Sequence, residues 1–315
     1  MATGKRSRLD AIDGVLLLNK PAGLSSNQAL QRVKRLLNAK KAGHTGSLDP
    51  AATGMLPLCF GEATKVCAFL LNADKTYRVT AKLGIATDTG DADGNETERL
   101  PVPDLSREDW DKILQDFLGE STQTPPMYSA LKKDGKRLYE FARKGQTVER
   151  APRPIRVDQM ELLEFAGTRL VFRVRCSKGT YIRSMVEDIA AKAGTVAHTA
   201  RLHREAVGGF EAAAMMELTA AEALVNEGRD ALRARLLPPD VALTELPAVD
   251  LDSAGVEAFR QGKVVSIDGT QGQGLARVYG PGGEQDFLGV GELAGDGTVA
   301  PKRVFMLGPK KSPDN

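Results

Sequence analysis

Residues 43–65, GHTGSLDPAATGMLPLCFGEATK, hold one histidine, one aspartate and four glycines, Gly43, Gly46, Gly54 and Gly61. No apolar period of helix or strand runs through the segment. Its lone carboxylate, Asp49, precedes Pro50, and Asp-Pro is an N-cap–N1 pair that opens helices. On that dipeptide alone, capping is the favoured reading. Capping needs no run of glycines, however, and glycines so placed imply unusual backbone or close contact with a ligand. His44, Thr45 and Ser47 add hydrogen-bonding groups beside the acid. Two readings stand: a helix cap, or a functional carboxylate on irregular backbone.

Upstream, GVLLLNKPAGLSS predicts a buried strand over Val15 to Leu18, stopped by the turn Lys20-Pro21-Ala22-Gly23. Ser25 or Ser26 then caps a helix reaching about Ala39, with Ala29, Leu30, Val33, Leu36 and Leu37 as its apolar stripe. That helix exposes Arg32, Lys34 and Arg35 and leads into Lys40 and Lys41.

Downstream, Tyr77, Val79 and Ala81 alternate as in a strand, followed by an acidic, glycine-punctuated hairpin loop, Asp88 to Asn95. Ser106 caps an amphipathic helix that turns Trp110, Ile113, Leu114 and Phe117 inward. Leu170, Phe172, Val174 and Cys176 alternate with Arg173 and Arg175 as in a half-buried strand, and TYIRSMVEDIAAKAG follows as a helix that Gly194 ends. Prolines cluster in residues 236–251, where the helical pattern stops. Beyond them, apolar segments alternate with glycine-rich turns, which predicts a small all-β module of roughly sixty residues.

The 315 residues are 42% hydrophobic and 27% charged, the balance of a soluble globular chain with a core. No apolar run approaches the ~20 residues that span a bilayer, so no membrane partner is expected. The start, MATGKRSRLDAIDG, lacks an apolar signal core and reads as a short mobile arm. Cys59, Cys67 and Cys176 are odd in number and form no CxxC, which suits a reducing cytoplasm. The formal net charge of +2 conceals two zones. Residues 127–156 carry nine Lys/Arg against three Asp/Glu, and residues 83–121 carry three against eleven. The first is either the footprint of a polyanion site or a solvated surface.

Several chemistries fail for want of their motifs. GxGxxG after a strand, GxxxxGK[ST], HExxH and GxSxG are all absent. Three histidines, His44, His198 and His203, are badly spaced for zinc. Asp91, Asp93 and Asn95 imitate half an EF-hand, but Glu96 stands where its glycine belongs, so a hairpin turn is the better reading. Neither a metal nor a cofactor is implied.

The segments NKPAGLSS, GHTGSLDPAATGMLPLCFGEATK, KTYRVTAKLG, PPMYSALKKDGKRLYEFARKG and CSKGTYIRSM occur in the order found in the TruB family, which this chain resembles over most of residues 13–210. The family comprises stand-alone tRNA pseudouridine-55 synthases. The resemblance implies an α+β fold, with a mixed, largely antiparallel sheet flanked by helices and a small C-terminal β-barrel of PUA type. It further implies an arm at 1–10, a catalytic domain at 11–245 with a basic RNA-binding insertion at about 124–152, a PUA-like domain at 246–309 and a tail at 310–315. The implied activity is isomerisation of a T-loop uridine by base flipping, in the cytoplasm, without guide RNA or cofactor, by a monomer whose partner is tRNA. A non-catalytic RNA-binding or tRNA-folding protein, and a guide-RNA-dependent synthase subunit, are the alternatives.

That chemistry explains a solitary acid. A glycosidase typically employs two carboxylates, one of them to activate water or attack. Pseudouridylation breaks a glycosidic C–N bond yet keeps the base and rejoins it through carbon, so no water must be activated. Asp49 suffices, as nucleophile or as base. Family matching makes Arg183 the cation expected to keep Asp49 ionised against desolvation, and Tyr77 the aromatic on the uracil, its hydroxyl near the departing C5 proton. Tyr181, Leu202 and His44 match further positions against the flipped nucleotide, while Lys20 supports the pocket wall or meets the RNA backbone. Lys132, Lys133, Lys136, Arg137, Arg143 and Lys144 form the basic insertion that positions RNA without reading its sequence. Ser26 and His203 depart from the family pattern.

Overall fold

The computed structural model describes residues 8–267 and 272–307. The tail at 310–315 and residues 1–7 of the arm lie outside the described residues. Asp10 is held rather than loose: its backbone bridges Ala39, and its carboxylate pairs with Arg233.

The first strand, β1 (Gly14–Lys20), is buried almost throughout because both its faces are covered. Helix α1 (Ser26–Leu37) starts in a capping box between Ser25 and Gln28 and ends at Asn38 with a positive φ. A short β2 (Ala42–His44) then pairs with β3 (Thr53–Phe60), and the Asp49 segment is the loop between them. No helix follows Asp49, so the capping reading is overturned; the chain bends at Pro50 and enters β3 directly.

A short α2 (Cys67–Asn72) leads to β4 (Lys75–Leu83), whose alternate residues are buried as the spacing predicts. The acidic loop joins β5 (Ile85–Thr87) to β6 (Glu96–Arg99). Helix α3 (Arg107–Gln115) is capped by Ser106 and buries Trp110 and Leu114. From β7 (Gly119–Gln123) the chain enters the basic insertion, a ribbon of β8 (Lys132–Lys133) and β9 (Lys136–Arg137) with α4 (Leu138–Ala142). It returns through β10 (Arg153–Ala166) and β11 (Arg169–Cys176) to α5 (Ile182–Lys192), β12 (Ala197–Val207) and β13 (Met216–Glu217). Gly194, at φ 78°, ends α5.

These strands make one nine-stranded sheet, ordered β13-β1-β3-β12-β4-β11-β10-β7 with β2 beside β3. Only the β1–β13 and β3–β12 pairs are parallel, so the sheet is mixed and largely antiparallel. Helices α3 and α5 cover the face that carries Tyr77, Val79, Phe172 and Val174. Over β1 and β3, on the same face of the sheet, α1 packs with α6 (Leu218–Glu227) and α7 (Arg229–Arg233).

The C-terminal module is a five-stranded sheet, ordered β14-β16-β17-β18-β15. It comprises β14 (Ala248–Asp250), β15 (Val265–Ser266), β16 (Gln273–Tyr279), β17 (Phe287–Ala294) and β18 (Thr298–Val304). It is not purely β: α8 (Ser253–Arg260), capped by Asp252, buries Val256 and Phe259 against the sheet. Eight residues with two apolar anchors give too weak a period to stand out among the turns. Tyr279, Phe287 and Phe305 share an apolar cluster with Val15, Leu17 and Cys59, and Lys65 Nζ donates to the Val304 carbonyl at 2.7 Å.

Candidate active site

Four segments bring Asp49 to its place. Ser26 anchors the loop on one side: its Oγ accepts from the Leu48 backbone N–H at 2.7 Å and donates to the Leu48 carbonyl at 3.0 Å. Lys20 anchors the other side. Its ammonium is fully buried and donates to the carbonyls of Pro21, Leu24 and Pro50 at 2.8, 2.7 and 3.3 Å. Of the two roles expected for Lys20, the pocket wall is the one its burial allows; it presents no surface to an RNA backbone. Burial pushes its pKa down to about 8, with Asp49 opposing and Arg204 adding to the fall.

Arg183 occupies the first turn of α5, against the helix dipole. Its partners account for that position. Nε stands 3.1 Å from Asp49 Oδ2 and Nη1 stands 3.7 Å from Asp91 Oδ2. Nη1 and Nη2 donate to the carbonyls of Thr89 and Tyr128, both at 2.7 Å. One guanidinium, 7% exposed, therefore joins the Asp49 loop, the acidic hairpin and the root of the basic insertion. The hairpin reading of Asp88–Asn95 holds, but the sequence analysis assigned Asp91 no place at the site.

The Asp49 side chain itself is 46% exposed. Its pKa is nonetheless raised above the ordinary aspartate value, first by burial and then by Asp91 and Asp93, while Arg183 and Lys20 pull it down. The expectation that Arg183 reverses the desolvation shift is thus corrected: one cation shared by two carboxylates offsets it only in part.

Tyr77 is buried on β4, and its pKa is raised by that burial, with the Arg204 guanidinium opposing. Tyr181 caps α5 without a side-chain bond; its backbone N–H donates to Gln123 Oε1 at 2.7 Å, and its carbonyl accepts from Gln123 Nε2 at 3.0 Å. Burial raises its pKa, and the Ser129 hydroxyl lowers it. Leu202, half-buried on β12, lies across from Val79 against the same core. His44 closes β2; burial and Arg204 lower its pKa, which keeps the imidazole neutral at neutral pH, and its buried Nδ1 lacks a protein partner. Asp49, Arg183, Tyr77 and Tyr181 are coupled electrostatically, so the structure brings the expected set together.

The basic residues lie on the insertion between β7 and β10, apart from these side chains. Lys132, Lys136, Arg137, Arg143 and Lys144 are exposed. Lys133 is half-buried and donates to the Glu149 carbonyl at 2.9 Å, and Arg137 and Arg143 flank the Tyr139 ring at 5.8 and 5.3 Å. The root of the insertion touches the site through the Tyr128 carbonyl, which accepts from Arg183.

Sequence reasoning passed over Arg204. It is 1% exposed, donating through Nε to the Met55 carbonyl at 2.6 Å and through Nη2 to the Gly46 carbonyl at 2.9 Å. The signal was present: in ARLHREAV, Arg204 is in phase with Leu202 and so shares the apolar face. His203, which did draw notice, lies on the opposite face, where Nδ1 meets Thr53 Oγ1 at 2.8 Å. Gly54 explains one of the glycines. At φ 104°, a Cβ there would stand 2.3 Å from the Arg204 carbonyl oxygen. Its backbone closely approaches a neighbouring strand, not a ligand.

A mixed, largely antiparallel sheet flanked by helices, followed by a smaller C-terminal sheet, places the protein in the pseudouridine-synthase class. The protein superposes on a chain in the crystal structure of a Cbf5–Nop10–Gar1 complex with a TM-score of 0.72, at 26% identity, covering 93% of this chain and 85% of that one. Residues 34–182 match the N-terminal domain model of TruB family pseudouridylate synthases. Residues 183–244 match the tRNA pseudouridylate synthase B C-terminal domain, and residues 247–305 match the C-terminal domain of pseudouridine synthase II TruB. Among curated relatives, the tRNA pseudouridine synthase B of Azoarcus sp. (strain BH72) is 50% identical over 294 residues, 93% of this chain and 95% of its own. That of Stutzerimonas stutzeri (strain A1501) is 46% identical over 306 residues, 97% and 99%. The chain belongs to the TruB family.

Proposed function

We propose that the protein isomerises one uridine of tRNA to pseudouridine, at position 55 of the T-loop, acting as a monomer in the cytoplasm and without guide RNA. Curated relatives matched over nearly their whole length carry the tRNA pseudouridine synthase B name. Within that activity, the observation that carries the residue assignment is Arg183, buried between Asp49, the Thr89 carbonyl and the Tyr128 carbonyl.

The uridine leaves its stack at a cost of a few kcal/mol, repaid by aromatic contacts from Tyr77 and Tyr181 and by phosphate contacts on the insertion. Asp49, ionised, acts on the glycosidic unit; the C1′–N1 bond breaks, the detached base turns within the pocket, and a C1′–C5 bond forms. The C5 proton leaves and N1 gains one, so atoms balance with no water consumed. Leu202 and the Tyr77 ring confine the base during rotation, and confinement of this kind replaces a second encounter by an intramolecular step.

Purified protein incubated with an unmodified tRNA transcript, followed by mapping of pseudouridine, tests the reading. Product at position 55 without added RNA is expected. A guide-dependent enzyme would leave the transcript unchanged. Asp49→Asn should bind the transcript and form no product, whereas product at the wild-type rate would refute the assignment of Asp49.

A further inference from the structure

Asp49 and Tyr77 belong to different parts of the sheet, the loop before β3 and the body of β4. Strand β12 runs between β3 and β4, and one of its residues faces both. Arg204 is registered with Gly54 on β3 and with Tyr77 on β4. Opposed residues of paired strands project from the same face. The guanidinium and the phenol therefore rise together, while Gly54 raises nothing. Across that gap Arg204 reaches the carbonyls of Met55 and Gly46, residues that bracket Asp49 in the chain. Tyr77 is buried directly across from Arg204 on the paired strand, and the guanidinium opposes the rise in the phenol's pKa.

A buried cation costs several kcal/mol unless paired. No carboxylate pairs with Arg204 among the described residues. Two backbone carbonyls take the place of a counter-ion. Tying β12 to the loop would need only a neutral amide, so the tie alone gives no reason for the charge. The charge acts on its surroundings instead: it opposes protonation of His44 and Lys20 and favours electron density on the Tyr77 oxygen.

We propose that Arg204 is a positioning residue for the isomerisation, one that sets the Asp49 loop and the Tyr77 hydroxyl in a single frame and, by donating to the phenol oxygen, turns the phenol proton toward the substrate. The inference rests on the isomerase reading above.

A double-mutant cycle tests it, with Arg204→Lys and Arg204→Met each made in the wild type and in Tyr77→Phe. In the wild type, Arg204→Met should lower single-turnover kcat about a hundredfold while KM stays within about twofold. Arg204→Lys should recover part of that loss. In the Tyr77→Phe background the same exchanges should cost kcat about fivefold to tenfold less, the loss that remains being that of the Asp49 loop. Equal kinetic losses in the two backgrounds would overturn the proposal. If Arg204→Met does not fold, Arg204→Lys carries the cycle.

A second measurement is independent of turnover. The chain has five tyrosines, few enough for each 13Cζ-tyrosine resonance to be resolved, and Tyr77→Phe identifies that of Tyr77. Its resonance should move in Arg204→Lys while the other four stay. An unmoved Tyr77 signal overturns the contact even if the enzyme is active. Absence of pseudouridine from the wild-type reaction instead refutes the isomerase reading and leaves the spectroscopic result to decide the contact.

Discussion

Arg183 Nε stands 3.1 Å from Asp49 Oδ2, and Nη1 of the same guanidinium stands 3.7 Å from Asp91 Oδ2. A single cation thus divides its field between the acid proposed to do the chemistry and a second acid on the hairpin. Burial and the Asp91 charge together leave the Asp49 carboxyl above its ordinary pKa.

The acid limb of the single-turnover rate should therefore lie above pH 3.8, the ordinary aspartate value. Asp91→Asn removes a like charge and should move that limb to lower pH, whereas Arg183→Met should move it higher. Superimposable pH profiles for wild type and Asp91→Asn would show the two carboxylates to be uncoupled.

The same shift has a consequence for stability. A carboxyl whose pKa is higher folded than unfolded favours the fold below its unfolded pKa and loses that contribution as pH rises through the folded one. At neutral pH ionised Asp49 is thus a burden on the fold. Asp49→Asn should melt at or above the wild-type Tm at pH 7, with the two Tm values converging as the solution is acidified. A lower Tm for the variant at pH 7 would contradict this.

Cations on the insertion and in the pocket wall should separate by salt dependence. Each of Lys132, Lys136 and Arg143 exchanged for Gln should reduce the slope of log affinity for tRNA against log salt by about 0.7–0.9 if it meets a phosphate. Lys20→Met should leave the slope unchanged. It should instead destabilise the protein by about 2–3 kcal/mol, because three partly buried carbonyls lose their donor. Urea titrations and filter binding at several salt concentrations measure both effects.

Two glycines with similar backbone should differ sharply. Gly54→Ala drives a Cβ to 2.3 Å from the Arg204 carbonyl oxygen, and neither strand can withdraw without breaking the sheet. A loss of about 3 kcal/mol or more is expected. At Gly179, φ 80° with nothing within 4 Å of the added Cβ, alanine should cost only about 1 kcal/mol. Equal losses would mean that the close approach to Arg204 carries no weight.

How far the sequence reaches is clearest in particular elements. Helix α1, with Ser25, Gln28 and its apolar stripe, and helix α3, with Ser106, are local constructions whose caps lie within four residues of what they cap. Their boundaries were therefore readable. Helix α8 escaped notice because two apolar anchors in eight residues make little periodic signal. Asp49, Tyr77, Tyr181 and Arg183 were found through their resemblance to a family, since no local period marks a residue that acts on a ligand.

Asp91 and Arg204 show what lay beyond the linear chain. Locally, Asp91 accepts from Thr89 Oγ1 at 2.6 Å, as a turn aspartate should, and nothing nearby in sequence tells that its other oxygen faces Arg183. Arg204 was visible as an arginine in phase with an apolar strand face, but its acceptors are 149 and 158 residues away. By itself the sequence determined the helices, the strand faces and which acid stands alone, because side-chain period and capping are short-range physics. Only the tertiary structure decided which cation that acid shares and how its proton affinity shifts, because an electrostatic field depends on distance in space and not along the chain.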